Sequence, residues 1–134
     1  MDTSVSRERR ALRVFVVENH DDTREALTML LGQLGHQVDS AGTLEGALAM
    51  LADAEADVII SDIGLPDGSG WDLLHRLAHP PYAIAMSGYG MNADRERSLA
   101  AGYRHHLVKP MDLEQLEDML AEAARERAAS TSST

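Results

Sequence analysis

Short apolar segments alternate with longer amphipathic segments five times along the chain. The short segments are rich in β-branched residues and favour buried strands, whereas the longer ones carry apolar residues at helical spacing, as in Leu27, Leu30, Leu31 and Leu34. The predicted strands are 13–17, 37–41, 57–61, 82–86 and 104–108. Regular alternation of strand and helix predicts an α/β fold, a parallel, doubly wound sheet with helices on both faces and right-handed crossovers.

Several residues predict where the helices begin and end. Asp22 is the expected N-cap of the first helix, with Glu25 three residues later completing a capping box, and Thr43 is the expected cap of the second helix. The pair Pro80-Pro81 is expected to stop the third helix, and Gly102 the fourth.

The length of 134 residues suits one domain, which we place at residues 13–127. Residues 1–12 form a polar N-terminal tail, and the Ser/Thr-rich residues 128–134 are predicted to be disordered. There is no cysteine, which excludes disulfides and thiolate metal sites and is compatible with the cytoplasm. No apolar stretch is long enough to insert into a membrane. The net charge of −10 opposes direct nucleic-acid binding.

Polar side chains follow the predicted first, third, fourth and fifth strands, and the ends of parallel strands lie along one edge of the sheet. These residues are Glu18 and Asn19, Asp62, Ser87 and Lys109. Carboxylate and amide oxygens suit Mg²⁺, and a hydroxyl and an ammonium suit phosphoryl oxygens. The pattern favours a carboxylate nucleophile at Asp62 that accepts a phosphoryl group. Taken singly, the same residues could be a turn carboxylate, helix caps, a loop hydroxyl and a solvated lysine.

Four motifs in this order also carry a family resemblance. They are Val16–Asn19, Ser61–Pro66 together with Gly70, Met86–Gly88, and Val108–Pro110. Over about residues 13–125 the chain resembles the receiver domains of two-component response regulators and hybrid histidine kinases. The resemblance implies a flavodoxin-like sheet of five strands in the order 2-1-3-4-5.

The resemblance also implies a role for each residue at the strand ends. Asp62 would be the phosphoacceptor, and Mg²⁺ would be bound by Glu18, Asn19, Asp62 and the carbonyl of Gly64. Ser87 would follow the phosphoryl group. Lys109 would bridge to that group, and the Lys109-Pro110 peptide bond is expected to be cis.

Two positions depart from the family pattern. Asn19 occupies a position that is usually a metal-binding Asp, so Mg²⁺ should bind more weakly; Glu18 is the first candidate to compensate and Asp21 the second. Asn19 is therefore interpreted either as a ligand or as a loop hydrogen-bonding residue. His106 occupies a switch position that is usually aromatic, and it is either a rotating switch residue beside Ser87 or a surface imidazole. The remaining histidines are dispersed and are interpreted as surface residues.

The leading hypothesis is a phosphoacceptor signalling domain rather than an enzyme. A histidine kinase or histidine phosphotransfer protein would phosphorylate Asp62, and the surface formed by the fourth helix, fifth strand and fifth helix would respond. The motif between His105 and Pro110 favours the hybrid-kinase type, and a homodimer is left open as a partner. The alternative is an atypical receiver that binds proteins independently of phosphorylation, a hypothesis that rests on Asn19. An enzyme on this architecture is disfavoured because Gly64 stands where an aspartyl phosphohydrolase usually has a second acid, and no Gly-x-Gly-x-x-Gly motif is present.

Overall fold

The computed structural model describes residues 11–88 and 92–132, with only the backbone for 130–132. Its main sheet has five parallel strands in the order β2-β1-β3-β4-β5, which confirms the predicted architecture. The strands are β1 (Arg13–Val17), β2 (Gln37–Ala41), β3 (Val58–Asp62), β4 (Tyr82–Ser87) and β5 (His105–Val108).

Helices connect the strands and cover both faces of the sheet. They are α1 (Asp21–Gln33), α2 (Leu44–Asp53), α3 (Gly70–His75), α4 (Asn92–Ala101) and α5 (Leu113–Ser132). Between β3 and α3 the chain forms a small antiparallel ribbon, in which Gly64–Leu65 pairs with Gly68–Ser69. In the part of the chain that the structure describes, no helix combines the length and the apolar character that crossing a bilayer requires.

Strand residues alternate between two separate hydrophobic cores. Val14, Val16 and Ile60 pack with α1 and α5 on one face, whereas Phe15 and Ile59 pack with α2 and α3 on the other. Burial on both faces explains why these strands are nearly continuous apolar runs rather than alternating ones. The central strands are thereby held rigidly, and the polar residues that follow them are positioned by the sheet.

Two of the predicted helix boundaries are wrong. The N-cap of α1 is His20 rather than Asp22, without a side-chain capping bond, because Asp21 and Asp22 already lie in the first turn. There the two carboxylates are near the positive end of the helix dipole. Helix α3 ends at His75, well before Pro80-Pro81, so the prolines do not terminate it. The other two predictions are confirmed: Thr43 caps α2, and Gly102 follows α4 with a φ of +113° that favours glycine.

Ordered structure extends beyond both ends of the predicted domain, residues 13–127. Leu12 is buried in the core, and its carbonyl accepts a hydrogen bond from the Gln37 N–H, so ordered packing begins before Arg13. The rest of the predicted N-terminal tail, residues 1–10, lies outside the described residues. At the other end α5 continues to Ser132, contrary to the predicted disorder from residue 128. Arg127 forms an ion pair of 2.9 Å with Asp57, and the alanines that follow favour helix.

The loop between β3 and α3 is held by hydrogen bonds and by a close approach of its backbone to Asp62. The Gly70 N–H donates to the Ile63 carbonyl at 3.0 Å, and the buried Tyr103 hydroxyl donates to the Gly70 carbonyl at 2.6 Å. A Cβ at Gly70 would lie 2.5 Å from the carbonyl oxygen of Asp62, where only hydrogen fits. Asp67 accepts hydrogen bonds from the backbone N–H groups of Leu44 and Glu45, which ties the loop to α2.

We predict that Gly70→Ala lowers the free energy of unfolding by about 2–3 kcal/mol, since the new methyl group must displace backbone rather than a flexible side chain. Urea denaturation measures this difference. Gly32→Ala is the matched control because a Cβ there meets nothing within 4 Å. On exposed α1 this substitution should stabilise by about 0.5–1 kcal/mol. Equal effects of the two substitutions would contradict the close packing around Gly70.

Candidate functional site

The register of the sheet brings four strand ends level with one another. Val17 is paired with Ser61, which places Glu18 beside Asp62. Asp62 is paired with Met86, so Ser87 follows directly on the neighbouring strand. Ser87 is in turn paired with Val108, and the Lys109 N–H donates to the Ser87 carbonyl at 2.8 Å. The predicted meeting of these residues at one edge of the sheet is confirmed.

Lys109 joins the two carboxylates of this edge. Its Nζ donates to Oε1 of Glu18 at 2.6 Å and to Oδ2 of Asp62 at 2.7 Å. Glu18 is fully buried, and the side chain of Asp62 is 11% exposed. Lys109 thus compensates two carboxylates that would otherwise repel each other in a low-dielectric environment. The Lys109-Pro110 bond that follows is cis, as the resemblance implied.

The two carboxyl groups differ in how strongly their charge is stabilised. Burial opposes the charge of Glu18, but hydrogen bonds from Lys109 and from the backbone and ring of His20 together lower its pKa. Burial raises the pKa of Asp62, and the nearby charge of Glu18 adds to this, so that the pKa stays raised despite Lys109. Burial opposes the charge of Lys109, yet its hydrogen bonds to Asp62 and Glu18 raise its pKa. Glu18 is therefore the more firmly ionised partner of a shared cation.

The oxygens of Asp62 have unequal environments. Oδ2 accepts the short hydrogen bond from Lys109, whereas Oδ1 has only a long contact of 3.5 Å from the Gly64 N–H among the described residues. One oxygen is held in place and the other is weakly engaged at the partly exposed end of the strand. Such an arrangement suits a carboxylate that forms a new bond through Oδ1.

The chemistry of the donor set fits a weakly held Mg²⁺ ion. Within residues 11–88 and 92–132, no three side chains of His, Cys, Asp or Glu gather into a metal-binding group. Mg²⁺ needs less, because it commonly takes one or two carboxylates and keeps several waters. Glu18 and Asp62 supply two carboxylates at this edge, the Gly64 carbonyl is the further ligand that the resemblance implies, and Asn19 is exposed beside Glu18. Both oxygens of Glu18 already accept hydrogen bonds, from Lys109 and from His20, so the metal would compete with these donors.

His106 lies in the interior rather than on the surface. It is 8% exposed, and its Nε2 is 2.8 Å from Oγ of Ser87. On the other side of the ring, Nδ1 is 2.9 Å from Oγ of Ser98, and that oxygen accepts a hydrogen bond of 2.9 Å from Nε1 of Trp71. The surface-imidazole interpretation of His106 is thereby wrong, and Ser87 is connected to α4 and α3.

Sequence reasoning missed three residues of this region. His20 was interpreted as a surface residue, and its ring is exposed, but its Nδ1 lies 3.0 Å from Oε2 of Glu18. Ser98 was not identified, although a lone serine on the buried stripe of a polar helix is a usable signal. The third residue is the partly buried Trp71, whose hydrogen bond to Ser98 depends on how α3 packs against α4.

Comparison with known proteins agrees with this geometry. Residues 14–121 match the family model described as the response regulator receiver domain. The response regulator protein PilR of Pseudomonas aeruginosa is 35% identical over 118 residues, which cover 86% of this chain and 26% of PilR. The sensor histidine kinase RcsC of Salmonella typhi is 31% identical over 113 residues, which cover 82% of this chain and 12% of RcsC.

Solved structures agree on the fold. A two-component response regulator from Clostridium difficile superposes with a TM-score of 0.81 at 24% identity, covering 87% of this chain and 97% of that one. The chain spans only about a quarter of PilR and an eighth of RcsC. On the match of the family model over most of its length, the chain belongs to the response regulator receiver domain family.

Proposed function

We propose that this domain accepts a phosphoryl group on Asp62 from a histidine kinase or a histidine phosphotransfer protein. The observation that carries the proposal is the position of Lys109 Nζ, which holds Oδ2 of Asp62 while Oδ1 remains weakly engaged. Membership of the receiver family supports it, since the family serves two-component signalling. The domain would act as a signalling component rather than as an enzyme with a turnover of its own.

The transfer is a displacement at phosphorus. Oδ1 of Asp62 forms the new P–O bond as the P–N bond of the donor phosphohistidine breaks, and the imidazole leaves with the bonding electron pair. Lys109 lies close enough to offset charge on the incoming group, and Ser87 offers a hydroxyl on the neighbouring strand. Phosphoryl transfer requires mainly such positioning and electrostatic stabilisation.

Glu18, Asp62 and the Gly64 carbonyl are the proposed ligands of Mg²⁺, with Asn19 as a neutral fourth donor. When bound, the metal would supply positive charge against the oxygens of the phosphoryl group. Because Lys109 already compensates Glu18 and Asp62, the apo site is not strongly anionic. We therefore expect the metal to bind weakly.

Phosphorylation is proposed to change the surface formed by α4, β5 and α5. His106 on β5 contacts both Ser87 and Ser98 on α4. A displacement of Ser87 therefore affects β5 directly and α4 through His106. This surface is where a downstream partner or a second copy of the domain would bind. The surface formed by α4, β5 and α5 would then have two states, and the charge of the phosphoryl group on Asp62 would favour one of them.

The test of this proposal is the intact mass of the protein after incubation with a small acyl phosphate, with and without Mg²⁺. We predict that wild type gains one phosphoryl group in the presence of Mg²⁺ and that Asp62→Asn gains none. Asp53→Asn is the matched control because Asp53 is an exposed acid at the C-terminal end of α2, away from the strand ends that carry Asp62; it should be modified like wild type. Absence of any adduct on wild type at high Mg²⁺ would instead favour a binding module that works without phosphorylation.

We further predict that Asn19→Asp strengthens Mg²⁺ binding by roughly thirtyfold. A divalent ion and one added charge attract by about 2 kcal/mol at ~4 Å in a water-like dielectric, and ~1.4 kcal/mol corresponds to tenfold. Isothermal titration calorimetry measures the affinity. Gln37→Glu changes the net charge equally at the opposite edge of the sheet and should leave the affinity nearly unchanged. An Asn19→Asp affinity equal to that of wild type would contradict a metal site beside Asn19.

A further inference from the structure

Four side chains from four elements form one continuous hydrogen-bonded row. It runs from Trp71 on α3 through Ser98 on α4 and His106 on β5 to Ser87 on β4, with successive distances of 2.9, 2.9 and 2.8 Å. Ser98 is fully buried, and Ser87 and His106 are nearly so. The row therefore connects the phosphorylation edge, meaning the strand ends that carry Asp62, Ser87 and Lys109, to the packing between α3 and α4. All three links are direct hydrogen bonds between side chains.

The direction of the hydrogen bonds follows from the donors and acceptors available. The indole N–H of Trp71 can only donate, so Oγ of Ser98 is an acceptor in that contact. Ser98 keeps one proton, and in the described part of the chain the acceptor within its reach is Nδ1 of His106. A buried hydroxyl proton without an acceptor is costly, so Ser98 donates to Nδ1.

This direction fixes the imidazole in one tautomer. With Nδ1 accepting, the neutral ring carries its proton on Nε2 and donates it to Oγ of Ser87. Ser87 then accepts from His106, and its own proton is directed to a further acceptor. Every proton of the row points from Trp71 towards the phosphorylation edge.

We propose that Ser98, oriented by Trp71, is a positioning residue that acts through His106 to present the Ser87 hydroxyl as a donor to a phosphoryl group on Asp62. This inference rests on the proposed function of Asp62. The reverse coupling also follows: when Ser87 moves to the phosphoryl oxygen, its contact with Nε2 of His106 is broken unless the ring follows. A movement of the ring changes the contact with Ser98, and hence the environment of Trp71.

Trp71 makes the row observable, because it is the single tryptophan of the sequence. Its ring also lies under the guanidinium of Arg97, whose Cζ is 4.1 Å from the ring centroid, so the indole has a charged neighbour as well as its hydrogen bond to Ser98. The intrinsic fluorescence of the protein therefore reports on the far end of the row.

The experiment compares wild type, Ser98→Ala and Ser98→Thr in three measurements. These are the imidazole tautomer of His106 by nitrogen-15 NMR, the rate of phosphoryl uptake from an acyl phosphate with Mg²⁺, and the change in Trp71 fluorescence during uptake. We predict an Nε2–H tautomer in wild type, uptake that is roughly fivefold slower in Ser98→Ala, and loss of the fluorescence change in that variant. Ser98→Thr keeps the hydroxyl and should restore both.

Two further variants keep the test decisive. Thr28→Val removes a hydroxyl that bonds within α1, far from the row, and should behave like wild type. If Ser98→Ala does not fold, Trp71→Phe removes the first donor, together with part of the ring that packs against Arg97, and should also slow uptake. Wild-type uptake in Ser98→Ala with an unaltered fluorescence change would overturn the inference, as would a proton on Nδ1 of His106.

The two proposals fail in distinguishable ways. Absence of phosphoryl uptake by wild type defeats the proposed function, whereas the tautomer of His106 is measured on the unmodified protein and still decides the direction of the row. Uptake by wild type with no dependence on Ser98 defeats the positioning role alone.

Discussion

The bridge from Lys109 to Glu18 and Asp62 is the interaction on which the site depends. A fully buried Glu18 and a nearly buried Asp62 at neighbouring strand ends would repel each other, and one ammonium group from the end of β5 compensates both. The bridge forms only if β1, β3 and β5 end at the same level, so it depends on the register of the sheet. Because removing one member of a buried ion pair leaves an uncompensated charge, the three residues act as a unit.

The scaffold around this unit is rigid where the chemistry needs it. Two cores clamp the central strands from both faces, and the loop after Asp62 is held by the close approach of Gly70 and by the Tyr103 hydroxyl. In contrast, the row that begins at Ser87 consists of side-chain hydrogen bonds and is not part of the backbone pairing of the sheet. In a switch, a charge added at one residue must change contacts elsewhere. A firmly held Asp62 beside the side-chain row that begins at Ser87 suits that requirement.

The fold and the meeting of Glu18, Asp62, Ser87 and Lys109 at one edge could be predicted from the sequence because both depend on local patterns. Continuous apolar runs specify buried parallel strands, and polar residues directly after them must lie at one edge. The N-cap of α1 and the end of α3 were predicted wrongly because Asp22 and Pro80 carry stronger local capping and stop signals than the residues found there. Helix α1 begins after His20, and helix α3 already ends at His75. The inward position of His106 and its contact with Ser98 could not be predicted, since they depend on how α4 packs on β5. The persistence of α5 to Ser132 reflects helix propensity and the ion pair of Arg127.

The central claim is that the carboxylate held by Lys109 receives the phosphoryl group. The most direct measurement is borohydride reduction of the phosphorylated protein followed by fragmentation mass spectrometry, because reduction converts an aspartyl phosphate into homoserine at its own position. We expect homoserine at residue 62 and at no other aspartate, in an amount that matches the phosphoryl uptake. Homoserine at another acidic position, such as Asp21 or Asp67, or uptake that leaves residue 62 unreduced, would contradict it.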